Sequence, residues 1–214
     1  MTRDDRIVFI VDDDPRIREA LVELLESHGI AAMTFGSAGA YIDARKPDLP
    51  ACLLLDIELP DINGLDLQGQ IERSDHPPIV FITGHGDIPS SVRAIKHGAL
   101  DFLTKPFSDT DVMAAVIAAI AQDRADRANR ADLSVLRRRY DNLTPRERDV
   151  LPLVVSGFLN KQSAAQLGIS EVTLQIHRRN VMQKMAVASL ADLVRVAERL
   201  GIQTTSRRAR GDRS

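Results

Sequence analysis

Six polar residues that could do chemistry stand at the ends of four apolar runs in the sequence. In chain order they are Asp12, Asp13, Asp14, Asp56, Thr83 and Lys105. Carboxylates crowded together repel one another unless a cation lies among them. Sites built from oxygen ligands with open positions favour Mg²⁺, with Mn²⁺ as the alternative. These residue types therefore predict a divalent-cation site that also holds a hydroxyl and an ammonium group.

A carboxylate in such a site is a nucleophile that could accept a phosphoryl group. No protein base is needed, because the carboxylate is already ionised. The cation and Lys105 would neutralise the phosphoryl oxygens, and Thr83 would hydrogen-bond one of them. Each residue alone has a plainer interpretation, since an aspartate after a strand often caps a helix and a lysine is often a solvated surface charge. The joint set is what predicts phosphoryl transfer.

The six residues can meet only if a sheet brings the ends of their strands together. Through residues 1–120, β-branched apolar runs alternate with segments of helical periodicity. We expect strands near 7–11, 31–35, 53–55, 79–82 and 100–103, and helices near 17–25, from 37, and near 64–71, 88–97 and 109–120. Five repeats of strand and helix predict an α/β fold, a flavodoxin-like doubly wound sheet of five parallel strands. Such a sheet, in the order 2-1-3-4-5, has its site at the carboxyl ends of the strands.

After this region the pattern is helical throughout. Residues 121–142 are charged and alanine-rich without Gly or Pro, which predicts a helical linker. Its apolar stripe, Leu133, Leu136 and Tyr140, could form a short two-stranded coiled coil or pack on either domain. Four helices then follow to about residue 203, and Gly168 and Ser170 give the tight turn typical of a helix-turn-helix. Residues 204–214 lack apolar side chains and are expected to be a disordered basic tail.

The third of these four helices has the features of a DNA-reading helix. Leu174, Val181 and Met185 form one apolar stripe. A second face is expected to point away from the core, and it holds Val172, Gln175, Ile176 and Arg179, with Arg178 beside it. Arginine and glutamine on an exposed helix face suit contact with the major groove.

Composition agrees with two functions in one chain. The net charge is −2, but residues 1–120 carry −10 and residues 143–214 carry +6. A basic end favours phosphate backbones. The single cysteine, Cys52, lies in an apolar run and reads as a buried residue, and no apolar segment approaches the length of a membrane span. We therefore expect a cytoplasmic protein that makes no membrane contact.

Four motifs in order resemble the receiver domain of two-component response regulators. They are Val11-Asp12-Asp13-Asp14, Leu55-Asp56-Ile57, Ile82-Thr83-Gly84-His85-Gly86-Asp87 and Lys105-Pro106-Phe107. The resemblance covers residues 5–122. It implies Asp56 as the phosphoacceptor, with Asp12, Asp13, Asp56 and the main-chain carbonyl of Glu58 as metal ligands. It also implies a cis peptide before Pro106 and a switch role for Phe102, whose alternative role is that of a core strand residue.

The basic half resembles the LuxR/NarL four-helix DNA-binding domain. The matching residues are Leu143-Thr144-Pro145-Arg146-Glu147-Arg148, Asn160-Lys161, Ile169-Ser170, Thr173, His177 and Asn180. Details of both halves are similar to the FixJ branch. We expect DNA contacts from Lys161, Thr173, Gln175, Ile176, Arg178 and Arg179. Gln175 stands where many relatives carry a basic residue, and His177 fits a packed or phosphate-facing position better than a base-reading one.

These resemblances imply a transcriptional regulator rather than an enzyme. Its expected partners are a sensor histidine kinase, double-stranded promoter DNA, RNA polymerase and, once phosphorylated, a second copy of itself. We expect a receiver over 1–122, a linker over 123–142, the DNA-binding domain over 143–203 and the tail beyond. Two alternatives remain. The first is a haloacid-dehalogenase-type phosphatase, but such enzymes carry a second aspartate two residues after the nucleophile, and this chain has Glu58 at that position. The second is a receiver that acts through protein contacts alone.

Overall fold

The computed structural model describes residues 5–71, 76–84 and 98–203, and the chain divides into two compact units after Ala128. The helix expected near 88–97 and the tail expected over 204–214 lie outside the described residues. Within the described ranges, no helix combines the length and the apolar character needed to cross a membrane.

The first unit contains a five-stranded parallel sheet. Its strands are β1 (Ile7–Val11), β2 (Ala31–Phe35), β3 (Ala51–Asp56), β4 (Ile79–Thr83) and β5 (Asp101–Thr104). Their order is β2-β1-β3-β4-β5, as the sequence predicted. The fifth strand begins and ends one residue later than expected, so that Leu100 precedes the strand and Lys105 follows it directly.

Helices cover the sheet and explain its apolar runs. Among the described residues, the helices that begin in this unit are α1 (Pro15–Ser27), α2 (Ala38–Asp43), α3 (Gly64–Gln70) and α4 (Asp109–Asp141). Alternate strand residues belong to two separate cores, so that Ile10 and Leu54 lie in one and Phe9 and Leu53 in the other. A strand that is buried on both faces must be apolar at every position, which is why β1, β3 and β4 read as continuous runs.

The second unit contains the four expected helices. They are α5 (Pro145–Val155), α6 (Asn160–Leu167), α7 (Glu171–Met185) and α8 (Leu190–Arg199). Thr144 and Glu147 form a capping box at the start of α5, and Ser170 and Ser189 cap α7 and α8. Gly168 has a φ of 65°, a left-handed conformation that suits glycine and turns the chain between α6 and α7. The helix-turn-helix prediction is thereby confirmed.

The predicted linker is part of helix α4 rather than a separate helix. Asp123 is buried and accepts hydrogen bonds from the backbone N–H of Ala51 (2.9 Å) and from Arg127 (2.7 Å). Arg127 also pairs with Asp48. Residues 123–127 are therefore held within the first unit, and the domain boundary at residue 122 stays a prediction.

The other end of α4 belongs to the second unit. Tyr140 packs against the core of that unit, and the guanidinium of Arg148 lies 5.4 Å from its ring centroid. Leu136 is buried. Tyr140 thus takes the packed alternative, because its ring already has partners within its own unit.

Candidate functional site

The pocket predicted from the acidic residues forms at the carboxyl ends of β1, β3, β4 and β5. Val11 lies beside Leu55 in the sheet, so that Asp12 and Asp56 leave two adjacent strands at the same edge. Asp56 in turn lies beside Ile82, the residue before Thr83. The backbone N–H of Lys105 donates to the carbonyl of Thr83 (2.7 Å), which places the ammonium at this edge too.

Lys105 bridges two carboxylates across the pocket. Its Nζ lies 2.8 Å from Oδ2 of Asp12 and 2.9 Å from Oδ2 of Asp56, and both aspartates are almost fully buried. Burial lowers the pKa of the Lys105 ammonium, but its two charged hydrogen bonds outweigh burial and raise that pKa above the ordinary value. A permanent positive charge therefore lies between the two acidic groups.

The three pocket carboxylates fit a divalent cation. Asp12, Asp13 and Asp56 each offer one oxygen, and these oxygens all lie within 4.8 Å of one another. Burial raises the pKa of Asp12 despite its hydrogen bonds to Lys105 and to the N–H of Asp14. Three anionic oxygens with one exposed member, Asp13, are the donor set that Mg²⁺ or Mn²⁺ accepts while keeping waters.

The remaining predicted pocket residues, Thr83, Glu58 and Phe102, differ in how far they are buried. Thr83 is buried at the end of β4. Glu58 lies two residues after Asp56, its N–H donates to Oδ1 of Asp56 (3.2 Å), and the residue is exposed. Phe102 is half-buried against the core that holds Phe81, its neighbour in β4. The peptide before Pro106 is cis, as the resemblance implied.

Asp14, the last of the six polar residues to be placed, caps a helix. Its Oδ1 accepts from the N–H of Arg16 (2.9 Å), so it satisfies a free donor at the start of α1. Hydrogen bonds from Arg16 lower the pKa of Asp14. Asp14 therefore stays charged at neutral pH without lying among the pocket carboxylates.

The second candidate site is the exposed face of α7. Leu174, Val181 and Met185 are completely buried, as predicted from their spacing. The opposite face carries Val172, Gln175, Ile176 and Arg179, all exposed. Val172 and Ile176 are 68% and 55% exposed, so this face presents apolar as well as polar side chains to solvent.

Three flanking residues predicted to touch DNA lie around this face. Thr173 bonds the capping hydroxyl of Ser170 (2.8 Å), and Arg178 donates to the side chain of Asn160 (3.1 Å). Lys161 is exposed on α6. His177 is half-buried, and in the described part of the chain its Nδ1 has no hydrogen-bond partner, which agrees with a packed residue.

A buried ion pair fixes the far end of α7. Glu147 is almost fully buried, and its Oε2 accepts from Nζ of Lys184 (2.7 Å) and from the backbone N–H of Thr144 (2.8 Å). Burial raises the pKa of Glu147, but these hydrogen bonds outweigh it and leave the pKa below its ordinary value. The start of α5 and the end of α7 are thus held together by one carboxylate.

Known families match both units. The family described as "Response regulator receiver domain" matches residues 8–117, and the family described as "Bacterial regulatory proteins, luxR family" matches residues 141–197. This chain is a response regulator with a LuxR-type DNA-binding domain. Because the matching domains are those of transcription regulators, the coarse function of the chain is transcription regulation.

Relatives that align with nearly the whole chain place the regulator among FixJ-like proteins. Nodulation protein W of Bradyrhizobium diazoefficiens is 48% identical over 197 residues, which are 92% of this chain and 87% of that protein. FixJ of Azorhizobium caulinodans is 42% identical over 196 residues, 91% and 93% of the two chains. The low-resolution structure of response regulator StyR has a TM-score of 0.76 at 44% identity and covers 90% of this regulator and 98% of StyR. The resemblance to the FixJ branch is confirmed.

Two residues of the regulator's pocket escaped sequence reasoning. Gly64, the first residue of α3, lies so close to the phosphoacceptor strand that an added Cβ would be 2.4 Å from the carbonyl oxygen of Asp56. Arg18 on α1 donates to the carbonyls of Asp12 and Asp13. A glycine just after the Ile57-to-Asn63 loop was the available signal for the first. No sequence signal distinguishes Arg18 from other helix surface arginines.

Proposed function

We propose that this regulator accepts a phosphoryl group on Asp56 from a sensor histidine kinase, and that it then dimerises and binds promoter DNA to regulate transcription. The observation that supports phosphoryl transfer best is the Lys105 bridge between Asp12 and Asp56. It keeps an ammonium within reach of any group attached to the Asp56 carboxylate.

In the proposed reaction, a carboxylate oxygen of Asp56 forms a bond to phosphorus as the P–N bond of a phosphohistidine breaks. The electron pair of that bond leaves with the imidazole nitrogen, which takes a proton from solvent. Lys105 neutralises one phosphoryl oxygen and the Thr83 hydroxyl donates to another. Asp12, Asp13, Asp56 and the Glu58 carbonyl would hold Mg²⁺ or Mn²⁺, which supplies further neutralisation of the phosphoryl oxygens.

Asp56→Asn tests the acceptor assignment, because it removes the nucleophile and keeps the size of the side chain. With acetyl phosphate and Mg²⁺, we expect the wild type to gain the mass of one phosphoryl group and the variant to gain none. Intact-protein mass spectrometry gives the answer. A single phosphoryl mass on the variant would place the acceptor elsewhere.

For the DNA-binding half, we propose that α7 enters the major groove. Its exposed face then presents Gln175 and Arg179 to base edges and Ile176 to a thymine methyl group, while Lys161, Thr173 and Arg178 contact phosphates. The net charge of +6 over residues 143–214 supports contact with a polyanion. RNA polymerase would then be the partner through which bound regulator affects transcription.

Gln175→Ala is expected to change which base is preferred at one operator position, at a cost of about 1–3 kcal/mol there. Lys161→Ala is the matched control and should weaken binding almost equally across sequences, because a phosphate contact carries no base information. Binding-site selection on both variants and the wild type measures this. An identical selected motif for Gln175→Ala and the wild type would remove Gln175 from the base-reading set.

The proposed link between the two halves is dimerisation. A phosphoryl group adds about −1.5 to −2 charge beside Thr83 and Lys105, and both would move toward it. Phe102 would turn inward behind Thr83 and repack the face around β5, so that two receivers pair. Pairing raises the effective concentration of a second DNA-binding domain over a neighbouring half-site.

Sedimentation with and without beryllofluoride, a phosphoryl mimic, tests this link. We expect the mimic to shift the full-length regulator from monomer toward dimer by at least about tenfold in the association constant, or about 1.4 kcal/mol. Asp56→Asn is the control, since the mimic needs the aspartate. Tighter DNA binding with an unchanged monomer–dimer equilibrium would reject dimerisation as the link.

A further inference from the structure

The guanidinium of Arg18 lies directly behind the acidic pair of the pocket. One nitrogen, Nη1, donates to the carbonyl oxygen of Asp12 (2.6 Å) and to that of Asp13 (3.0 Å). The same group faces Gly36 just beyond β2, where an added Cβ would lie 3.6 Å from Nη1. A side chain from α1 thus holds two consecutive peptide groups at the point where β1 ends.

The two aspartates depend on this contact to different degrees. The Asp12 carboxylate has its own partners, Lys105 and the N–H of Asp14. The Asp13 carboxylate is exposed and makes no hydrogen bond or ion pair in the part of the chain that the structure describes, yet it lies within 4.8 Å of the other two pocket carboxylates. Nothing on the Asp13 side chain itself holds it there, so its position depends on the backbone.

Arg18 controls that backbone. The Asp12 and Asp13 carbonyls belong to the two peptide groups that flank the Cα of Asp13, and fixing both planes fixes the direction of its Cα–Cβ bond. Arginine suits this task because its donors have a rigid planar geometry and its charge is permanent. The positive charge of Arg18 also reduces the electrostatic repulsion among the three carboxylates.

We propose that Arg18 is a positioning residue of the pocket, and that it acts through Asp13 to set the affinity for a divalent cation. This inference rests on the proposed function only in taking the acidic cluster as a cation site. Partners that orient ligands are worth roughly 10–100-fold in metal affinity. Arg18→Gln should therefore weaken Mg²⁺ binding by about tenfold or more.

A double-mutant cycle separates positioning from general damage to the fold. Isothermal titration with Mg²⁺ alone would be carried out on the full-length wild type, Arg18→Gln, Asp13→Asn and the double variant, with chemical unfolding in parallel. If Arg18 acts through Asp13, then Arg18→Gln costs much less affinity in the Asp13→Asn background than in the wild type. Arg18→Lys, which keeps the charge but not the planar fork, should recover only part of the loss.

Arg16→Gln provides the matched control two residues earlier on the same helix. Arg16 is highly exposed and pairs with Asp14 outside the carboxylate cluster, so its loss should leave Mg²⁺ affinity unchanged. Unchanged affinity in folded Arg18→Gln, or losses that simply add in the double variant, would overturn the proposal. Because titration does not require phosphorylation, failure of Asp56 to accept a phosphoryl group would leave this result unaffected.

Discussion

Gly64→Ala is expected to lower the free energy of unfolding of the receiver unit by about 2–3 kcal/mol and to slow phosphorylation by acetyl phosphate by about a hundredfold. The added methyl group would lie 2.4 Å from the carbonyl oxygen of Asp56 and 3.1 Å from the Cα of Ile57. Both are backbone atoms of the segment that carries the acceptor. Neither can rotate away, so the end of β3 must move.

The hydrogen bond from the N–H of Gly64 to the carbonyl of Ile57 (2.8 Å) keeps α3 and the strand end in register. Displacing one therefore displaces the other, and a shift of about 1 Å at a reacting carboxylate is enough for a hundredfold loss of rate. Chemical unfolding and mass-resolved phosphorylation kinetics measure the two effects.

Gly69→Ala is the control within the same helix. Nothing lies within 4 Å of a Cβ built at Gly69, so alanine should stabilise α3 by about 1 kcal/mol through its higher helix propensity. Phosphorylation should be unchanged. Equal behaviour of the two alanine variants would mean that the contact of Gly64 with Asp56 does not limit the pocket.

Lys105→Met is expected to destabilise the metal-free receiver unit by about 3 kcal/mol at neutral pH, because it leaves two buried carboxylates without their cation. The loss should shrink as the pH falls toward the raised pKa of Asp12, since protonation removes the uncompensated charge. Saturating Mg²⁺ should stabilise this variant more than the wild type. A ligand that binds only the folded state stabilises it by an amount that grows with the logarithm of the ligand concentration divided by its Kd.

Titration calorimetry and denaturant unfolding, each with and without Mg²⁺, would measure these effects. We expect Mg²⁺ to bind Lys105→Met about tenfold more tightly, or about 1.4 kcal/mol, because the ammonium no longer competes for the same oxygens. Arg16→Met is the control, since it breaks only an exposed ion pair, and such pairs contribute little to stability. If Mg²⁺ stabilised the variant and the wild type equally, the Lys105 ammonium would not be the counter-ion of the pocket.

Much of the fold followed from the sequence because the sheet is buried on both faces. Apolar runs such as the one that ends at Val11 need no helical or alternating period, and the polar residue that follows each run marks a strand end. Asp12, Asp56, Thr83 and Lys105 could be placed together because parallel strands end at one edge. Their convergence is a property of topology, which the order of elements specifies.

The contacts that could not be predicted from the sequence depend on which residues lie close together in the fold, and the hydrophobic periodicity of the sequence does not report this. Gly64 is constrained by a backbone oxygen eight residues away, and Arg18 by carbonyls that any residue would offer. The change from apolar to charged residues after position 120 predicts two separate elements, but no helix-ending residue interrupts α4 there. The composition changes because the surroundings of the helix change along its length, while the helix itself continues.

The sole cysteine of the regulator gives its receiver a built-in reporter of opening. Cys52 lies in the middle strand β3, four residues before Asp56, and it is completely inaccessible. Burial raises the pKa of its thiol well above the ordinary value, so the folded protein presents neither access nor a thiolate to a reagent. Labelling of Cys52 by a thiol reagent therefore requires the central strand to separate from its neighbours. The labelling rate then measures how often the receiver opens, which is useful because the chain has no tryptophan whose fluorescence could report unfolding.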